Sequence, residues 1–340
     1  MSAIIHRMPN DVLEERLALA LEARSNFLED EHTTALRLFA GFYEGCPGLV
    51  VDLYGSTLVL FDYANSLTEG KANLGIAQDF YLNKFPWIDC VVQKKRSALD
   101  QQSRRGVLTF GESPAQQISE PEAIYAIDLL MNQDASFYID TRNLRSWLFE
   151  NSAGWQVLNT FAYTGSLGIA ALAGGSARVI QTDRRKKFLA LARQSAMYNK
   201  FDLGKMKLRG ADFFSEVARL KLNSELFDCV IIDPPIFSST TKGKIDLMDE
   251  SDRLINKVRP LIKDGGWVVT INNALFLSGA DYLASLEKLC QDGYLSIESL
   301  IPIPEDIAGF PETTIDHPPT DPAPFNHPTK IALLKVKRKA

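Results

Sequence analysis

A chain of 340 residues with 46% hydrophobic and 23% charged residues has room for about two domains and a sizeable core. Its formal net charge of -5 argues against a protein that coats nucleic acid nonspecifically, because phosphate binding draws on accumulated lysine and arginine. No apolar run nears the roughly 18 to 20 residues needed to span a bilayer, and the start, MSAIIHRMPNDVLEERL, has acids where a signal peptide keeps its apolar region, so a cytoplasmic chain without membrane contact is expected.

In chain order, NDVLEERLALALEARSNFL (10–28) has the composition of a helix that Asn10 or Asp11 can cap. From about 35 the pattern shortens: ALRLFAGFYE, GLVVDLYG and TLVLFDYA read as strands, a helix follows near 70–84, and DCVVQKK, GVLTFG and AIYAIDLLM read as further strands. After about 145 strands and helices alternate through WQVLNTF, ARVIQTD, KMKLRG, FDCVIID and WVVTIN, the rhythm of a mostly parallel sheet with right-handed crossovers. YLSIESL and TKIALLKV read as a late antiparallel pair, and the proline-rich 304–330 between them as a stiff loop beside the site. The expected fold is therefore α/β, with an N-terminal helical segment over 1–34, a small α+β domain over 35–135 that is a candidate for substrate recognition, and a larger domain over 136–340. The four cysteines, Cys46, Cys90, Cys229 and Cys290, form no C-x-x-C pair, and His317 and His327 lack metal-ligand spacing, so no metal site is expected.

Three strand ends carry candidate ligand groups, as the carboxyl edge of an open α/β sheet allows. The segment VLNTFAYTGSLGIAAL turns through Gly165 into a helix of small residues, where glycine admits a close backbone approach and the helix N-terminus offers free N–H groups. Asp183 lies 18 residues further, a spacing suited to ribose hydroxyls, with helix capping as the alternative. Asp212, after the next strand, either meets an adenine amino group or caps a helix. Tyr163 stands where a nicotinamide-binding fingerprint has glycine, so a ligand without pyrophosphate fits better. At FDCVIIDPPIFSS a buried-strand pattern runs into Asp233, and Pro234 and Pro235 end the strand and stiffen the chain beyond it.

With FYIDTRNLR (137–145), VLNTFAYTGSLGIAAL, TDRRKKFLALARQSAMYNK (182–200), DPPIFSS and GGWVVTINN in this order, the chain resembles the class I S-adenosylmethionine-dependent methyltransferases. Within them it is similar to the bacterial large-subunit ribosomal RNA enzymes that act at cytosine C5 or guanine N7, without their PUA-type domain. The resemblance implies a Rossmann-like catalytic domain with a seven-stranded sheet, S-adenosyl-L-methionine as cofactor and RNA as partner. It implies Phe161, Tyr163, Thr164 and Gly165 around the methionine and ribose, Asp183 with Arg184 on the ribose, Asp212 near adenine, and Asp233 at the transfer centre. Tyr138, Asp140 and Arg142 are further cofactor contacts, Arg142 suiting a carboxylate; Thr141 stands where the family segment has glutamine.

Methyl transfer from a sulfonium is an in-line displacement and needs no metal. Cytosine C5 becomes nucleophilic only after a thiolate adds to the ring, and this chain has Asn272 and Asn273 where such relatives carry cysteine. A base nitrogen, guanine above others, is the expected acceptor, with Asp233 and Asn272 orienting it, Pro234 and Pro235 fixing the loop, and Phe237 stacking on a flipped base. The alternatives are a protein or small-molecule methyltransferase, favoured by the acidic charge, and a noncatalytic cofactor-binding homologue.

Overall fold

The computed structural model describes residues 10–235, 237–240 and 243–338, with the backbone alone over 237–240 and 243–250. The chain divides into two compact units. The first contains residues up to Glu120, Ile127–Ile139 and Glu305–His317; the second contains Pro121–Ala126, Asp140–Pro304 and the chain from Pro318.

In the first unit, helix α1 (Asn10–Ala23) precedes strands β1 (Ala35–Ala40), β2 (Leu49–Tyr54) and β3 (Thr57–Asp62), helix α2 (Leu67–Lys84), strand β4 (Cys90–Lys95), helix α3 (Gln101–Arg105) and strands β5 (Val107–Phe110) and β6 (Gln117–Glu120). The sheet runs β1-β2-β3-β4-β5, with β3 and β4 parallel because α2 carries the chain back between them. Every residue of β2 and β3 is buried. Ser66 caps α2 through the Glu69 N–H, and Leu13, Leu17, Leu38, Leu60, Ala77 and Tyr81 pack together.

The return of Glu305–His317 to this unit was not anticipated by the three-part division. It is held by buried polar groups: the Asp306 carboxylate accepts the Arg37 N–H at 3.0 Å, and the Asp306 carbonyl accepts from Arg24, whose guanidinium also donates to Glu44 at 2.8 Å. The Thr313 hydroxyl donates to the same Glu44 at 2.7 Å. An arginine and a glutamate this deeply buried are tolerable only as a mutually satisfied set.

The second unit opens with β7 (Ala123–Ala126) and a 3-10 turn over Ile139–Thr141 that leads into α4 (Arg142–Asn151). There follow β8 (Gln156–Thr160), α5 (Ser166–Ala173), β9 (Arg178–Asp183), α6 (Lys186–Tyr198), β10 (Met206–Gly210), α7 (Phe213–Leu222) and β11 (Phe227–Ile232). Next come a hairpin of β12 (Phe237–Thr240) and β13 (Gly243–Asp246), α8 (Leu247–Val258), β14 (Ile262–Asn272), α9 (Gly279–Cys290), β15 (Leu295–Ile301), α10 (Glu305–Ala308, on the segment returned to the first unit) and β16 (Lys330–Val336). The seven-stranded sheet has the order β10-β9-β8-β11-β14-β16-β15. All neighbours are parallel except β16, which is antiparallel to both β14 and β15.

Helices cover both faces of this sheet, which explains the continuous apolar strands. Val217, Leu220, Ile255, Tyr282 and Leu286 pack on the face that shows Leu158 and Val230. The opposite face meets α5 and α6 around the fully buried Gln181. The expected α/β class I architecture with a smaller companion unit is what is found. Among the described residues no helix is long and apolar enough to cross a membrane.

Candidate active site at the carboxyl edge of the sheet

Five parallel strands of the second unit deliver their ends to one edge. Because β16 runs the other way, its start arrives there too. That edge gathers residues 161–165, 183–185, 211–212, 233–235 and 272–274 together with Thr329 and Lys330.

The turn after β8 is held in an unusual backbone. Phe161, Tyr163 and Gly165 all have positive φ, at 54°, 51° and 83°, a conformation that costs the two aromatic residues on the order of 1–3 kcal/mol each. Hydrogen bonds to the end of β9 over-determine it. The Ala162 N–H donates to the Thr182 carbonyl at 2.8 Å, and the Tyr163 N–H to Asp183 Oδ2 at 3.0 Å. Phe161 stacks on Phe213 at 4.8 Å between centroids, and Tyr163 meets Phe188 edge-on at 4.6 Å. Thr164 is buried, whereas Arg184 is exposed.

A Cβ at Gly165 would lie 2.5 Å from the Ala192 Cβ and 2.8 Å from Gln181 Oε1, so packing alone excludes a side chain there. Glycine here serves helix packing and left-handed φ.

Asp183 does not cap α6 with its side chain. Its Oδ2 holds Tyr163, and its Oδ1 accepts the Arg185 N–H at 2.8 Å. Burial pushes its carboxyl above the usual range, and the Arg185 and Tyr163 N–H groups and the adjacent arginines oppose that shift. Each carboxylate oxygen keeps a further acceptor lone pair, so ribose hydroxyls can still bond to it. Asp212 caps α7 through Oδ1, which accepts the Phe214 N–H at 3.1 Å, a role compatible with an adenine contact.

The segment before β8 is fixed at the same edge. Asp140 Oδ2 accepts the Thr329 hydroxyl at 3.1 Å, and Asn143 donates to the Pro302 carbonyl at 2.9 Å. Thr141 is buried and its hydroxyl accepts from Arg145 at 2.8 Å, so threonine at the glutamine position has a packing role. Arg142 is half-buried at the start of α4. Tyr138 belongs to the first unit, where its hydroxyl donates to Asp134 at 3.1 Å.

Asp233 follows β11 with Pro234 buried and Pro235 exposed. Burial, reinforced by the like charge of Asp140, pushes the Asp233 carboxyl from 3.8 up to about 7. Such a group sits poised to exchange a proton at neutral pH. The side chain of Phe237 lies outside the described residues.

Asn272 is fully buried and already bonded: its amide donates to Ser251 at 3.0 Å and its oxygen accepts the Ala274 N–H at 2.9 Å. This places it in the framework and not on a base. Its neighbour Asn273 has a buried Oδ1 with no hydrogen-bond partner among the described residues, an acceptor left for a donor from outside the chain.

Sequence reasoning missed Thr329 and Lys330. The Lys330 ammonium is fully buried and donates to the Ala274 carbonyl at 3.1 Å and the Pro328 carbonyl at 2.5 Å, tying the two loops together. Burial pushes its amine down to about 8. Nothing local in PTKIALLKV announces this, since it depends on β16 entering the sheet between β14 and β15.

A family model described as S-adenosylmethionine-dependent methyltransferase matches residues 101–305. Ribosomal RNA large subunit methyltransferase I of Aliivibrio fischeri is 28% identical over 318 residues, covering 91% of this chain and 76% of that protein. The protein of the same name from Vibrio vulnificus is 29% identical, covering 89% and 75%. Among solved structures, SMU.776 complexed with SAH superposes with a TM-score of 0.83 at 21% identity, covering 97% of this chain and 82% of that one, a likeness of fold.

Proposed function

The chain belongs to the S-adenosylmethionine-dependent methyltransferase family, and on that footing we propose that it methylates a base nitrogen of ribosomal RNA, guanine above the others. S-adenosyl-L-methionine is the cofactor, and it supplies an electrophilic methyl carbon. The residues suited to hold it are Phe161, Tyr163, Thr164, Asp183 and Arg184, with Asp140 and Arg142 on the segment before β8. Asp183 suits the ribose hydroxyls because its fixed carboxylate retains acceptor capacity.

The observation that carries the nitrogen reading is Asp233. A half-buried carboxyl pushed up to about 7 can orient a base N–H and, where the attacked nitrogen bears a proton, hold that proton. Asn273 Oδ1 adds a second acceptor, unpaired among the described residues, at the end of the adjacent strand. Cytosine C5 chemistry needs a thiolate. In the second unit the cysteines are Cys229, buried inside β11 with its thiol pushed up by burial, and Cys290 at the end of α9. Neither is on the edge.

The RNA reading is supported by the names of the relatives above, with the first unit as the substrate-recognition part and the cytoplasm as the place of action. Mass-spectrometric mapping of ribosomal RNA from a strain lacking the protein tests it. Loss of one methylated guanine, restored by the wild-type protein and not by Asp233→Asn, is the expected result. An unchanged map, with the purified protein still binding S-adenosylmethionine, would overturn RNA in favour of a protein or small-molecule acceptor, the reading that the net charge of -5 favours.

A further inference from the structure

The first unit carries a surface array that its own core does not use. Phe42, in the turn between β1 and β2, is 44% exposed, and its ring meets Tyr63 edge-on at 4.9 Å. The Arg96 guanidinium also lies against this pair, 5.6 Å from the Tyr63 centroid. Arg96 is anchored by donating to the Gln133 carbonyl at 2.8 Å. Two rings and a guanidinium thus form one continuous strip with a cationic end.

The exposed phenylalanine does not sit on a loose loop. The Gly41 position has no room for a side chain, because a Cβ would lie 2.1 Å from both the Cys46 and Leu49 carbonyl oxygens. The Tyr43 and Glu44 N–H groups both donate to the Ala40 carbonyl, at 2.8 and 3.0 Å. On the far side, the Tyr43 carbonyl accepts the Ile315 and Asp316 N–H groups at 2.7 and 2.9 Å. Glu44 is locked by Arg24 and Thr313. Buried hydrogen bonds therefore fix the backbone that presents the half-exposed Phe42 ring.

We propose that Phe42, Tyr63 and Arg96 form a stacking platform for unpaired bases of the RNA substrate. Every base has a π face, so an aromatic ring and a guanidinium plane receive it without reading its sequence, while the arginine charge favours the adjoining phosphate. Exposed Arg104 and Arg105 of α3 extend the basic character of this unit. Lys94, close to them in sequence, does not contribute: it is fully buried, with its ammonium donating to the Arg105 and Asn132 carbonyls. The platform rests on the RNA reading above and adds which residues of the first unit hold bases.

The test measures binding of a fluorescein-labelled single-stranded RNA of about twenty nucleotides, and of the matching duplex, to the full chain and to Phe42→Ala, Phe42→Leu and Arg96→Ala. The expected result is an affinity for the single strand lowered roughly tenfold by Phe42→Ala, less by Phe42→Leu, with a reduced salt slope for Arg96→Ala. Duplex affinity and the thermal-unfolding profile stay unchanged, the latter showing that the fold is intact. Wild-type protein that binds neither RNA sinks the RNA reading and the platform with it. Wild-type binding that Phe42→Ala leaves intact, or equal losses on single strand and duplex, overturns the platform alone.

Discussion

Replacing Asp233 by asparagine should stabilise the protein while disabling it. The carboxyl is raised from 3.8 to about 7, chiefly by burial and then by Asp140. A carboxyl raised on folding binds its proton more tightly in the native state, so its contribution to stability falls as pH climbs from 3.8 to about 7 and is level beyond. Full linkage between those values gives a loss of about 4 kcal/mol above pH 8, of which about 2.6 kcal/mol develops between pH 5 and pH 8. Asp233 is half-buried, and solvent screening reduces this to about 1 kcal/mol or somewhat more. The neutral amide of the variant would carry no such penalty. Urea unfolding of wild type and Asp233→Asn at pH 5 and pH 8 should show the variant gaining on the wild type by that amount at the higher pH, with methyl transfer slowed about a hundredfold. A stability difference that is the same at both pH values, or that moves the other way, would refute the burial argument.

Three further outcomes follow from the same unit. Asp183→Ala removes the acceptor for two N–H groups and a site for ribose hydroxyls, and should weaken S-adenosylmethionine binding by about 1.5 to 3 kcal/mol in calorimetry; unchanged affinity would refute the assignment. Gly165→Ala, at φ 83° with a Cβ 2.5 Å from that of Ala192, should cost about 2 to 4 kcal/mol in thermal unfolding, and adding Ala192→Gly should recover only the part due to the clash. Combined Cys229→Ala and Cys290→Ala should leave methyl transfer within a few-fold of wild type, whereas its loss in a folded variant would point to a thiol mechanism.

How much of this was legible in the sequence depended on range. The end of β11 could be read directly, because Val230, Ile231 and Ile232 demand burial on both faces and Pro234 cannot continue a ladder. Asp212 left two readings open, and the Phe214 N–H at 3.1 Å establishes the cap. Gly165 could be marked as a turn glycine, but its crowding by Ala192, on a helix more than twenty residues away, could not be read locally. The β12 and β13 hairpin went unseen because FSST and GKID carry no apolar alternation. Asp306 looks like an ordinary loop acid until Arg24 and Arg37, some 280 and 270 positions earlier, turn out to bind it. Strand order is the common cause, as only the insertion of β16 brings Thr329 and Lys330 to the edge.

The proposed preference for nitrogen over carbon rests on two residues, one inside β11 and one just past its end. Cys229 and Asp233 occupy the same β11 and its end, yet the thiol is fully buried and the carboxyl half-buried. Burial raises both above their ordinary values, which for the thiol means a negligible thiolate fraction at neutral pH and for the carboxyl a value of about 7. A nucleophile that is both protonated and walled in by β8 and β14 cannot add to a pyrimidine ring, whereas an acid at the rim can exchange a proton with whatever lies against it. Shifting a cysteine to the edge, as Asn273→Cys would, supplies the position but leaves a thiol of ordinary acidity, about 8.5, mostly protonated at neutral pH. Such a variant should therefore gain no cytosine methylation in a mass-spectrometric assay on RNA. A gain would show that position alone had been the barrier and that the thiol's protonation state was not.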